Sequence, residues 1–253
     1  MKKARSARRG RPGATATAGA RRPTVEVRQG RGGLELRVEG TLASVYRRGR
    51  SLTGPVWWAL AAPVLLLARR RRRVLLLGLA AGSVARALRA LDPGAEIVGV
   101  ERDRDVLRAA RRHFDLDALR VEVVTGDALA YLRDTPRRFD MVVEDLFVGP
   151  SRGVHKPEWL AGEGYRLIGR RLRPGGIVVS NTIHETGAIV RACRPLGGTI
   201  LSLDVRGHWN RIVVCGRALP PPRQLRQRLR ESGLPAAALR SLAVRRQALP
   251  AAS

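Results

Sequence analysis

Two acids and a glycine-rich turn stand at the ends of three successive apolar runs. Gly78-Leu79-Ala80-Ala81-Gly82-Ser83 closes the run 74–77 and opens a helical pattern. Small residues there let backbone N–H groups and the positive end of a helix approach a nucleotide or a carboxylate. The turn is a poor dinucleotide fingerprint, because Ala80 carries a Cβ where the second glycine of G-x-G-x-x-G admits a pyrophosphate. By itself it also fits an unliganded strand-to-helix bend. Glu101 ends the next run, Val98-Gly99-Val100, at the carboxyl edge where open α/β sheets bind ligands. A carboxylate at that place can accept both hydroxyls of a ribose. Asp127 follows a third run within Gly126-Asp127-Ala128. It can accept an adenine amino group while the neighbouring backbone N–H, that of Ala128, meets a ring nitrogen. Capping the next helix is the competing role for Asp127, and one aspartate can do both. Dinucleotide folds do not require this second acid. Together the turn, Glu101 and Asp127 point to S-adenosylmethionine or a close relative.

These groups need strands to carry them. Apolar runs at 74–77, 97–100, 121–124, 141–143 and 177–180 alternate with helical patterns at 82–91, 103–113, 128–132, 158–172 and 185–193. Such alternation predicts a parallel sheet with right-handed crossovers. Runs at 199–205 and 211–215 read as a terminal hairpin that adds an antiparallel strand, more typical of methyltransferases than of dehydrogenases. Ahead of these, strand-like runs at 24–27, 34–38 and 41–46, separated by glycine turns, predict a small N-terminal sheet. The expected fold is therefore α/β: a Rossmann-like class I methyltransferase sheet with a terminal antiparallel hairpin, preceded by a small β-sheet. Four segments are expected: a disordered basic tail at 1–22, the small sheet at 23–53, the nucleotide-binding domain at 54–218, and a basic, partly helical tail at 219–253.

Composition adds limits. Lys+Arg 48 against Asp+Glu 21 gives a formal net charge of +27, and lysine occurs only at Lys2, Lys3 and Lys156. So positive a chain can attract nucleic acid. Its arginines are scattered over helix faces without interleaved aromatics, however, so compositional bias is the favoured reading and nucleic acid the minority one. Residues 56–67 (VWWALAAPVLLL) are apolar but too short for the roughly 20 residues a membrane span needs, and Pro63 interrupts them. A buried helix is expected there, and no membrane association. The basic start runs into Gly-Ala-Thr-Ala without an apolar stretch, so no signal peptide is expected. Cys193 and Cys215 lack metal-site spacing and are too few for a disulfide framework, which fits a reducing cytoplasm. Thr182-Ile183-His184-Glu185 reads as a capping box. His155 falls in a loop just before Lys156, and His208 and Trp209 in the hairpin turn; the histidines are weak candidates for a base.

With these residues in view, the chain resembles the spermidine synthase (polyamine aminopropyltransferase) family. Val74-Leu75-Leu76-Leu77-Gly78 is similar to its first strand, and Val100-Glu101-Arg102-Asp103 to its Val-Glu-x-Asp. Gly126-Asp127, Gly149-Pro150 and the stretch 165–176 (YRLIGRRLRPGG) are similar to further segments of it. The resemblance implies that Gly78, Gly82, Glu101 and Asp127 hold S-adenosylmethionine or its decarboxylated form. It also implies that Asp145 takes the place of the catalytic aspartate. The chemistry agrees: an ammonium of pKa near 10 is no nucleophile until a carboxylate takes or shares its proton.

Departures qualify this picture. Ala81 stands where the family has Asp, Val148 where it has a second active-site carboxylate, Ala43 where it has Gln, and Val56-Trp57-Trp58 where it has Tyr-His-Glu. Burying a polyamine's ammonium groups requires facing carboxylates. The pocket is therefore expected to be apolar and aromatic, although packing is the favoured role of Trp57 and Trp58. The leading expectation is methyl transfer to a small acceptor that is not a polyamine. Aminopropyl transfer from decarboxylated S-adenosylmethionine is the first alternative, and a non-catalytic cofactor-binding or regulatory protein the second. A nucleic-acid methyltransferase is disfavoured because Glu-Asp-Leu-Phe replaces a base-flipping tetrapeptide at the fourth strand. The reading allows a homodimer.

Overall fold

The structure is a computed structural model and describes residues 23–68, 72–150 and 152–247. The expected basic tail at 1–22 lies outside the described residues. Three antiparallel strands, β1 (Val25–Gly30), β2 (Gly33–Val38) and β3 (Thr41–Tyr46), form the small sheet in the order β1-β2-β3. The run 56–67 becomes α1 (Pro55–Ala61), continued as a tighter 3-10 helix over Ala62–Leu66. Pro63 stands at the start of the tighter segment and, lacking an N–H, cannot continue the hydrogen-bond ladder of α1. Trp58 and residues 59–62 are buried, so this apolar stretch is core; no helix among the described residues is long and apolar enough to cross a membrane.

The main sheet begins with β4 (Arg73–Leu77), whose Val74, Leu75 and Leu77 are fully buried. There follow α2 (Ser83–Leu91), β5 (Glu96–Glu101), α3 (Arg104–His113), β6 (Glu122–Thr125), α4 (Ala128–Asp134), β7 (Phe139–Glu144), α5 (Tyr165–Arg171) and β8 (Leu172–Thr182). After α6 (Thr186–Ala192), β9 (Thr199–Val205) and β10 (Arg211–Gly216) make the expected hairpin. The sheet order is β11-β9-β10-β8-β7-β4-β5-β6, where β11 is Leu242–Gln247. β4, β5, β6, β7 and β8 pair in parallel, and β10 enters antiparallel beside β8. Fully burying each aliphatic side chain of these strands contributes about 1.5–3 kcal/mol.

Three local expectations change. The helix expected over 158–172 forms over 160–171, but its first part, Leu160–Gly164, is a wider π-helical turn that runs directly into α5. The capping box does not form. Glu185 Oε2 accepts the N–H groups of Ile183 and His184, while Thr182 Oγ1 bonds Thr186 Oγ1 and the Arg211 carbonyl. The C-terminal segment also holds more than helix. α7 (Pro222–Glu231) and α8 (Ala236–Arg240) lead into β11, which pairs antiparallel with β9. Leu225, Leu229 and Val244 are buried there, so spaced apolar residues inside an arginine-rich stretch anchor it to the core.

Candidate active site

Strand order reverses between β4 and β7, which run side by side in parallel with Leu77 opposite Glu144. Ligands of open α/β sheets bind at the carboxyl ends beside such a switch point. A cavity of about 950 Å³ opens there. Its wall includes Gly78, Ala80, Glu101, Asp127, Ala128 and Asp145, six of the seven residues singled out from the sequence.

The turn after β4 is built from left-handed residues: Gly78 at φ 86°, Ala80 at φ 47° and Gly82 at φ 84°. A Cβ on Gly78 would lie 2.8 Å from the Asp145 carbonyl oxygen, so glycine is what lets the two strand ends meet. Ala80 bears a left-handed cost of roughly 1–2 kcal/mol, and its N–H donates to Glu101 Oε2 at 3.0 Å. Gly82 does not line the cavity; a Cβ there would meet Leu119 Cδ1 at 2.8 Å, so this glycine serves helix packing. The small sheet docks on the same turn. The Ser83 hydroxyl accepts from Val45 N–H at 3.0 Å and donates to the Val45 carbonyl at 3.1 Å. Ala81 is buried and donates its N–H to Ser44 Oγ at 3.0 Å. It does not border the cavity, so the lost aspartate at that position leaves no gap in the wall.

Glu101 accepts N–H bonds on both oxygens, from Ala80 on Oε2 and from Asp103 on Oε1 at 3.1 Å. A carboxylate offers about four acceptor sites, so these bonds leave capacity for a hydroxyl. Burial pushes its pKa up, opposed by the N–H groups of Asp103 and Ala80. Asp127 Oδ1 caps α4 by accepting from Leu129 and Ala130 at 2.9 and 3.0 Å, while Oδ2 takes no bond among the described residues. Both roles weighed for Asp127 are thus compatible. A purine nucleoside sulfonium fits this set: acceptor capacity on Glu101, a spare oxygen on Asp127, and the backbone at Ala128.

Asp145 follows β7. Its N–H bonds the Leu77 carbonyl at 2.9 Å, and its Oδ1 accepts from Asn181 Nδ2 at 2.8 Å. Asn181 in turn accepts from Asn210 Nδ2 at 2.9 Å. Burial raises the Asp145 pKa, and the Lys156 charge and the Asn181 bond pull the other way. Beneath it, Glu144 and Lys156 form a buried ion pair at 2.6 Å. The sequence reading passed over Asn181, Asn210 and this pair. Signals were present: the polar run Ser180-Asn181-Thr182 inside an otherwise apolar strand, and one lysine alone among arginines.

The pocket is more acidic than expected. Trp57 lines it while Trp58 is buried in the core, and Val148 and Ala43 are in the wall. Yet Glu35, Glu39, Glu101, Asp103, Asp127, Asp145 and Glu158 also line it, seven of the chain's 21 acids. Among the described residues in the wall, Arg102 is the single arginine or lysine, although the chain has 48. His155 and His208 border it as well.

The fold is a Rossmann-like α/β sheet of the methyltransferase type, with a cavity at the carboxyl ends of its parallel strands. A family model described as the spermine/spermidine synthase domain matches residues 59–193, more than half of the chain. The chain belongs to that family. It is 31% identical over 179 residues to a "Probable polyamine aminopropyl transferase" of Bifidobacterium longum, covering 66% of this chain and 39% of that protein. It is 30% identical over 136 residues to "Polyamine aminopropyltransferase 2" of Hyperthermus butylicus, covering 51% of this chain and 44% of that protein. The chain thus spans well under half the length of these relatives. Among solved structures, a probable spermidine synthase from Corynebacterium glutamicum superposes with a TM-score of 0.71 at 19% identity, covering 92% of this chain and 91% of that one. Human methyltransferase-like protein 13, in complex with SAH, gives a TM-score of 0.62 at 18% identity, covering 74% and 93%. These likenesses support the expected family and fold. They favour the aminopropyltransferase alternative over the methyl-transfer expectation.

Proposed function

We propose that this chain transfers an aminopropyl group from decarboxylated S-adenosylmethionine to a primary amine of a diamine or polyamine. The observation that carries the reading is the acidic lining of the cavity: seven acids, of which Glu35 is paired with Arg28 and Arg37, against one arginine in the wall, in a protein of net charge +27. A cationic donor and a cationic acceptor can share such a cavity, because facing carboxylates offset the cost of desolvating ammonium groups. An anionic acceptor would meet repulsion there. The names of the related aminopropyltransferases support the same reading.

The donor supplies a sulfonium-activated propyl carbon. The chain's residues do the rest. Glu101 and Asp127 hold the nucleoside. Asp145, kept in place by Asn181, accepts the proton that the acceptor ammonium must lose before nitrogen can attack. The new C–N bond forms as the C–S bond breaks, and methylthioadenosine leaves with the sulfur's electron pair. Trp57 and Trp159 line the same cavity and offer apolar and π surfaces to a methylene chain and its cations.

The test incubates the protein with decarboxylated S-adenosylmethionine and putrescine and follows spermidine and methylthioadenosine by mass spectrometry. Formation of both supports the proposal. Methylated product from S-adenosylmethionine with no spermidine would restore the methyl-transfer reading. Donor binding without turnover on any diamine would favour a non-catalytic role.

A further inference from the structure

Lys156 is the one lysine outside the first three residues of a chain with 48 basic side chains. It returns beneath β7 because residues 148 and 155 bond each other in both directions, Val148 N–H to the His155 carbonyl at 2.9 Å and His155 N–H to the Val148 carbonyl at 3.0 Å. Its ammonium donates to Glu144 Oε1 at 2.6 Å and to the Leu146 carbonyl at 2.9 Å, and sits 3.8 Å from the centre of the Phe147 ring. Three directions leave one tetrahedral nitrogen, which matches an ammonium and not the planar fork of a guanidinium. Glu144 Oε1 meanwhile accepts the Leu146 N–H at 2.8 Å. Leu146 is therefore held at its N–H by the acid and at its carbonyl by the lysine, directly after Asp145.

The Glu144 side chain is fully buried and that of Lys156 is 5% exposed. Glu144 Oε2 is buried with no hydrogen-bond partner. A buried pair with an unsatisfied oxygen is a poor source of stability, since apolar replacements of such pairs are often neutral or better. Positioning accounts for it instead. We infer that Lys156, acting through Glu144 and the Leu146 backbone, is the positioning residue that sets the Asp145 carboxylate at the cavity wall, and that only a lysine fills this place. The inference rests on the reading of Asp145 as the proton acceptor.

The test compares wild type, Lys156→Arg, Lys156→Met and the double variant Glu144→Gln/Lys156→Met. The double variant leaves no bare charge, so it is the one expected to melt near wild type. It should bind methylthioadenosine within about threefold of wild type, because Glu101 and Asp127 are untouched. Its kcat should fall by on the order of 100-fold with little change in the acceptor KM, the loss expected when a reacting group is displaced by about 1 Å. Lys156→Arg should lose as much. Wild-type kcat in the double variant, or in Lys156→Arg, would overturn the inference. A crystal structure of the double variant decides the matter independently of turnover. An Asp145–Asn181 bond and a Leu146 backbone unchanged from wild type would refute the positioning role, and displacement of both would support it. Absence of spermidine with wild type itself would count against the proposed reaction, and the structural comparison would still judge Lys156.

Discussion

Gly78 and Asp145 end adjacent strands so close together that a single methyl group on the glycine would lie 2.8 Å from the aspartate's carbonyl oxygen. The turn proposed to receive the nucleoside and the proposed base are thereby one mechanical unit. Gly78→Ala should disturb both at once. The left-handed backbone at φ 86° alone costs an alanine roughly 1–2 kcal/mol, and the backbone contact adds to it. Chemical denaturation should show at least that loss, together with weaker methylthioadenosine binding in calorimetry. A variant as stable as wild type with full affinity would contradict the close approach.

Replacing the two acids proposed to hold the nucleoside should separate binding from folding. Glu101→Gln and Asp127→Asn keep the shape of each side chain, and asparagine caps a helix as well as aspartate does. Each should weaken binding of methylthioadenosine by about 1.5–3 kcal/mol, the range for a hydrogen bond to a charged group. Asp127→Ala should in addition lose about 1 kcal/mol of stability, because Oδ1 caps α4. Titration calorimetry and thermal melting measure the two effects separately. Equal affinity in both conservative variants would remove the cofactor assignment.

Asp145→Asn should fold, since it keeps its size and can still pair with Asn181. As the loss of a proton acceptor, it should lower kcat by about 10²–10⁴-fold. The comparison is made at saturating donor and acceptor, with spermidine as the readout. Undiminished turnover would place the base elsewhere.

The pH dependence has a definite sign. Burial raises the Asp145 pKa, and only the ionised form can take a proton. Activity should therefore be lost as pH falls through a value above the ordinary 3.9 or so of aspartate. Asn181 donates to the carboxylate and holds its pKa down. Asn181→Leu should accordingly move the acid limb of kcat to higher pH. A limb that stays put would show that this bond has no hold on the reacting group.

The C-terminal segment should be structural. Leu225→Ala removes a fully buried side chain from α7 and should cost about 2–5 kcal/mol. Ending the chain at residue 219 should cost more, because it also uncovers the edge of β9 that β11 pairs with. Melting curves of both variants decide it. A truncated chain that melts like wild type would mean that the segment merely lies on the surface.

The order of strands and helices from 74 to 215 was legible in the chain because buried parallel strands must be continuous apolar runs and their crossovers amphipathic. The position of the acids at the carboxyl ends of those runs was legible for the same reason: a charge directly after a buried apolar strand must stand at the sheet's edge, and Glu101, Asp127 and Asp145 do line the cavity there. The sequence could not reveal which distant side chains share the cavity. Val148 implied a lost carboxylate and an apolar pocket, whereas Glu35 and Glu39 of the small sheet and Glu158 of a later loop join the same wall. Ala81 looked like a missing site residue, yet its N–H is held by Ser44 and it stands outside the cavity. Asn181 met Asp145 only because β7 and β8 pair in parallel, with Glu144 opposite Ser180. Local pattern decides which segments are buried, since that depends on the polarity of neighbours along the chain. Register and loop closure decide which polar groups face one another, and those are settled only when strands far apart in sequence pack together.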